Sequence, residues 1–488
     1  MHKLSFLLLV SFITFTVADA QNVSYPHHTQ YKTHIKPEVA QSTLDKNTSD
    51  FYLKWKKEYL VSGCKSGEYH IDYDKGQTVS EAHGYGMMVF VIMAGFDKDA
   101  KLYFDGMYKY FRNHPSGITP DLMAWKQSKN CVDIEGNDSA SDGDIDIAFA
   151  LLLADKQWGS DGVINYKSEA KKVISAIMKA EVNRSKFNVT YGDWVDRSNA
   201  KFYNATRSSD FIVDHFRSFD KAITSSKWMK VVDKCYSIVD DIQTNYSSST
   251  GLMPDFMVNT NSKVKPAPKG HLEGDKDGYY SYNACRFPWR IGTDYLISGD
   301  DRAKKSLDKL NAWIRTKTNN KPSRIMDGYK LDGTATATWS DAAFVAPFAV
   351  SAMINSDNQT WLNKIYSELL STKFSSQGYY ENSIQLLSYL VISGNYWTPE
   401  TATLANGDID ERKGFSVYPN PNLTRELFIK APNHIHLKKV VAVAMDGKTL
   451  DLTFYNNRVS LLDLSKGTYS IIFYLKNNNS FTRTIFVQ

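Results

Sequence analysis

The segment Ile145-Asp-Ile-Ala-Phe-Ala-Leu-Leu-Leu-Ala154 is apolar on almost every side of a helix. A helix with one apolar stripe can lie on a surface, but one that is apolar all round must be enclosed by other elements. The neighbouring helical segments, Met87 to Phe96, Ile145 to Trp158, Lys167 to Glu181, Trp228 to Thr244, Arg302 to Thr316 and Trp361 to Leu370, are separated by long connections rich in Gly, Asn and Asp. The simplest architecture that encloses some helices with others is an inner helical layer inside an outer one, spanning about residues 50 to 397. The 42% hydrophobic content is enough to fill such a core. Residues 21 to about 50 are polar and aperiodic and predict an extended lead-in.

The period changes near residue 398. Residues 398–414 read as a linker, and after it apolar residues recur at every second position, in Thr468 to Leu475 and Phe481 to Val487. Turns are expected at Asp446-Gly447 and Lys466-Gly467, giving a small all-β module over 415–488. At the other end, Lys3, the apolar run Leu4 to Val17 and Ala18-Asp-Ala20 form a secretory signal peptide over 1–20. No later stretch is long and apolar enough to span a membrane. The net charge of +5 is mild and unclustered, which argues against a nucleic-acid partner. Cys64, Cys131, Cys235 and Cys285 match no zinc spacing; in an oxidising destination a disulfide is allowed, with connectivity unreadable from sequence.

Three clusters carry chemistry. In Thr78 to Met87, Ser80 is placed to cap a helix and Glu81 falls in its first turn, where a carboxylate favours the dipole. Gly84 and Gly86 weaken a helix start, so they suggest a close approach to the backbone as well as capping. In Ala140 to Ala148, Asp142 and Asp146 share a helix face and Asp144 points away. That spacing resembles the start of a calcium loop, but the rest of the loop is missing, so neither metal nor cofactor is expected. Capping and a sugar-binding carboxylate cluster both remain open. The third cluster, Glu273, Asp275 and Asp277 in a glycine-containing loop, reads equally as a solvated acidic loop.

Together these segments resemble glycoside hydrolase family 8. Ala140-Ser-Asp-Gly-Asp144 with Ile147-Ala-Phe-Ala-Leu-Leu-Leu-Ala154 and Trp158 fits its signature, Ser80-Glu-Ala-His-Gly-Tyr-Gly-Met87 looks like its general-acid motif, and Tyr282-Asn-Ala-Cys-Arg-Phe-Pro-Trp-Arg290 like its third motif. Gly251 to Phe256 and Arg207-Ser-Ser-Asp210 support it. The resemblance implies an all-α (α/α)6 barrel over residues 21–397 and an endo-acting, inverting β-1,4-glycanase. It implies Glu81 as proton donor and Asp142 as the aspartate that holds the sugar at the cleavage point. Asn283 stands where many members carry an aspartate as base. In the members with asparagine a glutamate from the loop just upstream serves, which Glu273 matches, and that subgroup holds chitosanases, lichenases and cellulases. Val417-Tyr-Pro-Asn-Pro421 and Lys466-Gly-Thr-Tyr469 resemble the type A sorting domain of the type IX secretion system, which makes the β-sandwich module a partner of that machinery.

An inverting hydrolysis needs an acid on the leaving oxygen and a base on a water at the opposite face. Glu81 at a helix N-terminus needs burial, or the charge of Asp142, to stay protonated. Glu273 needs to be partly solvated, as a flexible loop would allow. Trp125, Trp194, Tyr203 and Trp289 are candidate sugar-stacking rings, with buried core as the alternative. Tyr282, Asn283 and Arg286 complete the expected substrate-binding set. These readings predict an exported, monomeric hydrolase, secreted or at the cell surface, acting on a β-glucan. Chitosan is an alternative substrate, since acids from Asp133 to Asp146 and at 273–277 would make an anionic cleft. A non-hydrolytic polysaccharide-binding protein on the same fold is an alternative of another class.

Overall fold

The computed structural model describes residues 22–402, apart from 34 and 224–226, and residues 416–488, apart from 431–436, 445–447 and 476–479. The signal segment, most of the linker and the turn at Asp446-Gly447 lie outside the described residues.

Six helices form a closed inner ring: Ser80–Met93, Ser141–Trp158, Val213–Ala222, Phe287–Ser298, Ala342–Ala352 and Tyr379–Ile392, each packed on the next and the last on the first. Their composition demands it. Ser141–Trp158 is buried at every position from Ser141 to Ala154, and every residue of Ala342–Ala352 is buried. The outer layer is Ala100–Asn113, Tyr166–Ala180, Lys227–Asn245, Asp301–Lys317 and Gln359–Ser371, each packed on the inner helix that precedes it. These outer helices bury one face only; Tyr166–Ala180, for example, turns Tyr166, Ala170, Val173, Ile174 and Ile177 inward. The arrangement fits an (α/α)6 barrel.

The sixth outer position is filled from the other end of the chain. Helix Gln41–Tyr59 packs on the last inner helix, burying Leu44, Thr48, Phe51, Tyr52, Trp55 and Tyr59 at three- and four-residue spacing. The expected extended lead-in is therefore shorter than its polarity suggested: Gln41 already begins a helix, with Ser42 and Thr43 exposed and Thr48 and Ser49 buried. Residues before it are tied to the far end of the barrel, with Thr29 donating from its backbone to Gly394 at 2.7 Å and from its hydroxyl to Tyr396 at 2.7 Å.

The C-terminal module is two four-stranded antiparallel sheets. One has the order Thr449–Leu452, Leu437–Ala444, Gly467–Leu475, Ser480–Val487; the other Phe454–Tyr455, Arg458–Ser460, Glu426–Lys430, Ser416–Tyr418. Leu427, Ile429 and Val459 from the second sheet share one apolar core with Val440, Ile471, Phe473 and Ile485 from the first. That shared core supports a β-sandwich.

Candidate active site

Two inner helices begin side by side at one end of the barrel, and glycines let them touch. A Cβ on Gly84 would lie 2.6 Å from the Asp146 Cβ, and one on Gly143 would lie 2.4 Å from the Ser80 Oγ. The close approach expected at Gly84 is thus made by the neighbouring helix. Ser80 does not cap: it is the first helical residue, and its buried hydroxyl has no hydrogen-bond partner. The result is that Glu81 and Asp142, each at the second position of its helix, stand next to one another.

Arg286 joins them. Its Nη1 donates to Glu81 Oε2 at 2.6 Å and to Asp142 Oδ2 at 3.1 Å, while Arg207 Nη2 reaches Asp142 Oδ1 at 2.9 Å. The Nη2 of Arg286 donates to Asn283 Oδ1 at 2.9 Å, and Asn283 Nδ2 donates to Glu273 Oε2 at 2.8 Å. One guanidinium and one amide therefore link both proposed catalytic carboxyls. Asn283 can do this because an amide both donates and accepts, whereas an aspartate there would face Glu273 with like charge. Glu81, Glu273, Asn283, Arg286, Arg207, Tyr282, Tyr380 and Glu381 line a cavity of about 350 Å³.

The environments of the carboxyls differ. Burial pushes the Glu81 carboxyl up; Arg286 opposes this and Asp142 reinforces it, with a net rise. Burial also pushes Asp142 up, but Arg207 and Arg286 together hold it below the usual carboxylate range. Asp210, paired with Arg207 Nε at 2.9 Å, is raised by burial to about 6. Glu273 is exposed. Its loop is held at several points, however: the buried Asp277 accepts backbone N–H groups from Leu272, Glu273 and Gly274. The expectation of a flexible loop gives way to a pinned one.

Asp142 meets the cavity only through Arg207 and Arg286, and the other aspartates of the second cluster turn elsewhere. Asp146 pairs with Arg290 at 2.6 Å and His215 at 3.1 Å, and Asp144 accepts the Met123 N–H and faces Glu181, burial raising both carboxyls. Among the described residues no group of three or more His, Cys, Asp or Glu side chains is arranged to hold a metal.

Of the expected substrate-binding residues, Tyr282, Asn283 and Arg286 line the cavity. Trp125, Trp194 and Tyr203 do not, although all three are half-buried at the same end of the barrel. The Trp125 carbonyl accepts the Ser80 N–H at 2.8 Å, and Trp194 and Tyr203 pack against the cluster containing Tyr191 and Phe256. Trp289 is 3% exposed, under Arg290 with 3.9 Å from guanidinium to ring, and belongs to the core. Sequence reasoning gave no role to Arg207, Asp255, Tyr379, Tyr380 or Glu381. Tyr379 donates to Glu81 Oε1 at 3.3 Å, and Asp255 Oδ1 accepts N–H groups from Ser281 and Ala284 at 2.9 and 2.7 Å, fixing the turn that carries Asn283. The paired tyrosines at the start of an apolar helix were a signal that could have been read.

A helical barrel with a partly buried carboxyl and an exposed one on a single cavity at one end suits the chemistry of a glycoside hydrolase. The chain belongs to glycosyl hydrolases family 8, whose sequence profile matches residues 35–394. It is 49% identical over 398 residues to a beta-glucanase of Niallia circulans, covering 81% of this chain and 95% of that one. It is 36% identical over 411 residues to an endoglucanase of Bacillus sp. strain KSM-330, covering 82% and 87%. The structure superposes on a beta-1,3-1,4-glucanase from Paenibacillus sp. X4 with a TM-score of 0.75 at 49% identity, over 78% of this chain and 100% of that one. Rex8A from Paenibacillus barcinonensis, at 17% identity and a TM-score of 0.64, covering 76% and 99%, shares the fold. Membership of a hydrolase family sets aside the reading of a mere sugar-binding protein.

Proposed function

We propose that the chain is an endo-acting, inverting hydrolase of β-1,4-linked glucan, with Glu81 as general acid and Glu273 as general base. The observation that carries this reading is the chain Glu81–Arg286–Asn283–Glu273, which puts a partly buried, raised carboxyl and an exposed one on the same cavity. Glu81 protonates the glycosidic oxygen as the bond to the anomeric carbon breaks. Glu273 takes a proton from the water that attacks the opposite face, so the product has the inverted anomer. Asp142, kept ionised by two arginines, holds the sugar at the cleavage point. Tyr282 and Arg286 contact the bound sugar at the cavity, and Trp125, Trp194 and Tyr203 extend the cleft beyond it.

The names of the similar enzymes weigh toward a β-glucan such as lichenan or cellulose. Chitosan is the second reading, favoured by Glu81, Glu273 and Glu381 in the cavity lining and opposed by Arg207 and Arg286 there. A panel of lichenan, carboxymethylcellulose, chitosan and xylan, read by reducing ends and by NMR of the first-formed anomer, tests both. Release from lichenan or carboxymethylcellulose with the α-anomer first is expected. Activity confined to chitosan favours the second reading, and preference for xylan overturns the substrate assignment. Glu273→Gln should lower kcat by about 10²–10⁴-fold; a variant retaining most turnover shows that the base is elsewhere.

We also infer export as a monomer through a signal peptide at 1–20 and sorting by the type IX secretion machinery through residues 415–488, to the cell surface or medium. The Cys64–Cys131 disulfide supports an oxidising destination. Among the described residues no helix is long and apolar enough to cross a membrane.

A further inference from the structure

Glu273 is exposed, and an exposed side chain on a loop has no packing to hold it where a water must be activated. The nearby ion pair Lys269–Asp275 cannot supply that order, since both side chains are 72% exposed and such pairs contribute little. Asp277 is different. It is 3% exposed, and its two oxygens accept three consecutive backbone N–H groups: Oδ2 from Leu272 at 2.7 Å and Glu273 at 3.2 Å, Oδ1 from Gly274 at 2.8 Å. Its own backbone is anchored in turn, the carbonyl accepting the Phe256 N–H at 2.9 Å from the strand Phe256–Val258. Charge-assisted bonds of this kind are the strong ones. They set the backbone of Glu273 itself, and Asn283 then sets its carboxylate.

We propose that Asp277 is the positioning residue of the general base: it acts on the reaction only through Glu273, by fixing the backbone from which that side chain reaches the water. The inference rests on the assignment of Glu273 as base. An asparagine at 277 offers one acceptor oxygen and turns an N–H₂ toward backbone donors, so the three-bond cradle cannot persist. Displacement of a reacting group by about 1 Å can cost about 10²-fold.

The test is a double-mutant cycle of Asp277→Asn and Glu273→Ala in the full chain, read with and without azide. In the Glu273→Ala background azide attacks the anomeric carbon in place of water. The glycosidic C–O bond breaks, Glu81 gives its proton to the leaving oxygen, and an α-glycosyl azide forms without any need for a base. The expected result is that Asp277→Asn alone loses about 10²-fold in kcat with KM little changed. Added to Glu273→Ala it should cost nothing further, and the azide-dependent rates of the single and double variants should coincide. The proposal is overturned if Asp277→Asn stays within a few-fold of the parent. It is equally overturned if its loss recurs undiminished in the azide reaction, which would make its role structural. Should the asparagine variant not fold, Asp277→Ser enters the same cycle with the same readings. If Glu273→Ala by itself keeps most of its turnover without azide, the base assignment has failed, which is a separate outcome.

Discussion

Asp142 lies between two guanidinium groups and beside Glu81, so its charge is felt by the Glu81 carboxyl. Replacing it with asparagine removes the anion that helps keep the Glu81 proton on and leaves Arg286 to pair with Glu81 alone. Both effects lower the Glu81 pKa. As the proposed acid, Glu81 must be protonated to act, so activity is expected to fall as pH rises through that pKa. Asp142→Asn should therefore move the basic limb of the kcat/KM profile to lower pH; an unmoved or alkaline-shifted limb counts against the acid assignment. A second residue titrates into stability. Burial raises Asp255 from 3.8 to about 7, against the N–H groups of Ala284 and Ser281 that favour its charge. Its contribution is fully present below about pH 4, the unfolded value, and is lost as pH rises through about 7. At 1.36 kcal/mol per pH unit the loss is at most about 4 kcal/mol. Asp255→Asn keeps the acceptor and cannot ionise, so urea midpoints at pH 5 and 8 should differ less in the variant than in the parent. Glu81, Asp142 and Glu273 could be singled out from the sequence because their motifs are local. Arg207 and Asp255 were not assigned roles, since each acts on a partner far along the chain.

At the scale of elements, the barrel end is built by two helix starts that interlock through Gly84 and Gly143. A close approach at Gly84 was legible in the sequence, but what approaches was not: it is another helix, which only packing defines. Gly84→Ala would drive a methyl group to 2.6 Å from the Asp146 Cβ and 3.1 Å from the Gly143 carbonyl. Overpacking of this kind costs about 1–3 kcal/mol. The expected outcome is a lower melting temperature together with reduced kcat, as Glu81 and Asp142 are pushed apart; an unchanged melting curve would show that the interface yields freely. The inner helix Ser141–Trp158 was readable from its all-round apolarity. Helix Gln41–Tyr59 was not, because its polar Thr, Asn and Ser residues mask a buried stripe of mixed Leu, Thr and aromatics.

Across the whole molecule, the barrel closes only when the first helix covers the last inner one, with Trp55 donating to the Ser383 hydroxyl at 2.9 Å. A covalent tie adds to this: Cys64 and Cys131, 67 residues apart, close a loop that spans the first inner helix and its outer partner. Restricting the unfolded chain by a loop of that length is worth about 4 kcal/mol. Reduction, or Cys64→Ser, should lower the urea midpoint while leaving kcat nearly unchanged, because neither sulfur lines the cavity; a matching loss of kcat would tie the disulfide to the site. The sequence by itself determined the layered helical barrel, the change to β structure near residue 398 and the candidates for acid and base, since hydrophobic period and motif spacing are local properties of a chain. Only the tertiary structure decided which charges meet: that Arg286 and Asn283 join Glu81 to Glu273, that Trp289 is core, and that Glu273 sits on a loop pinned by Asp277. Electrostatics and burial depend on distances through space, and those exist only once the ring of helices has closed.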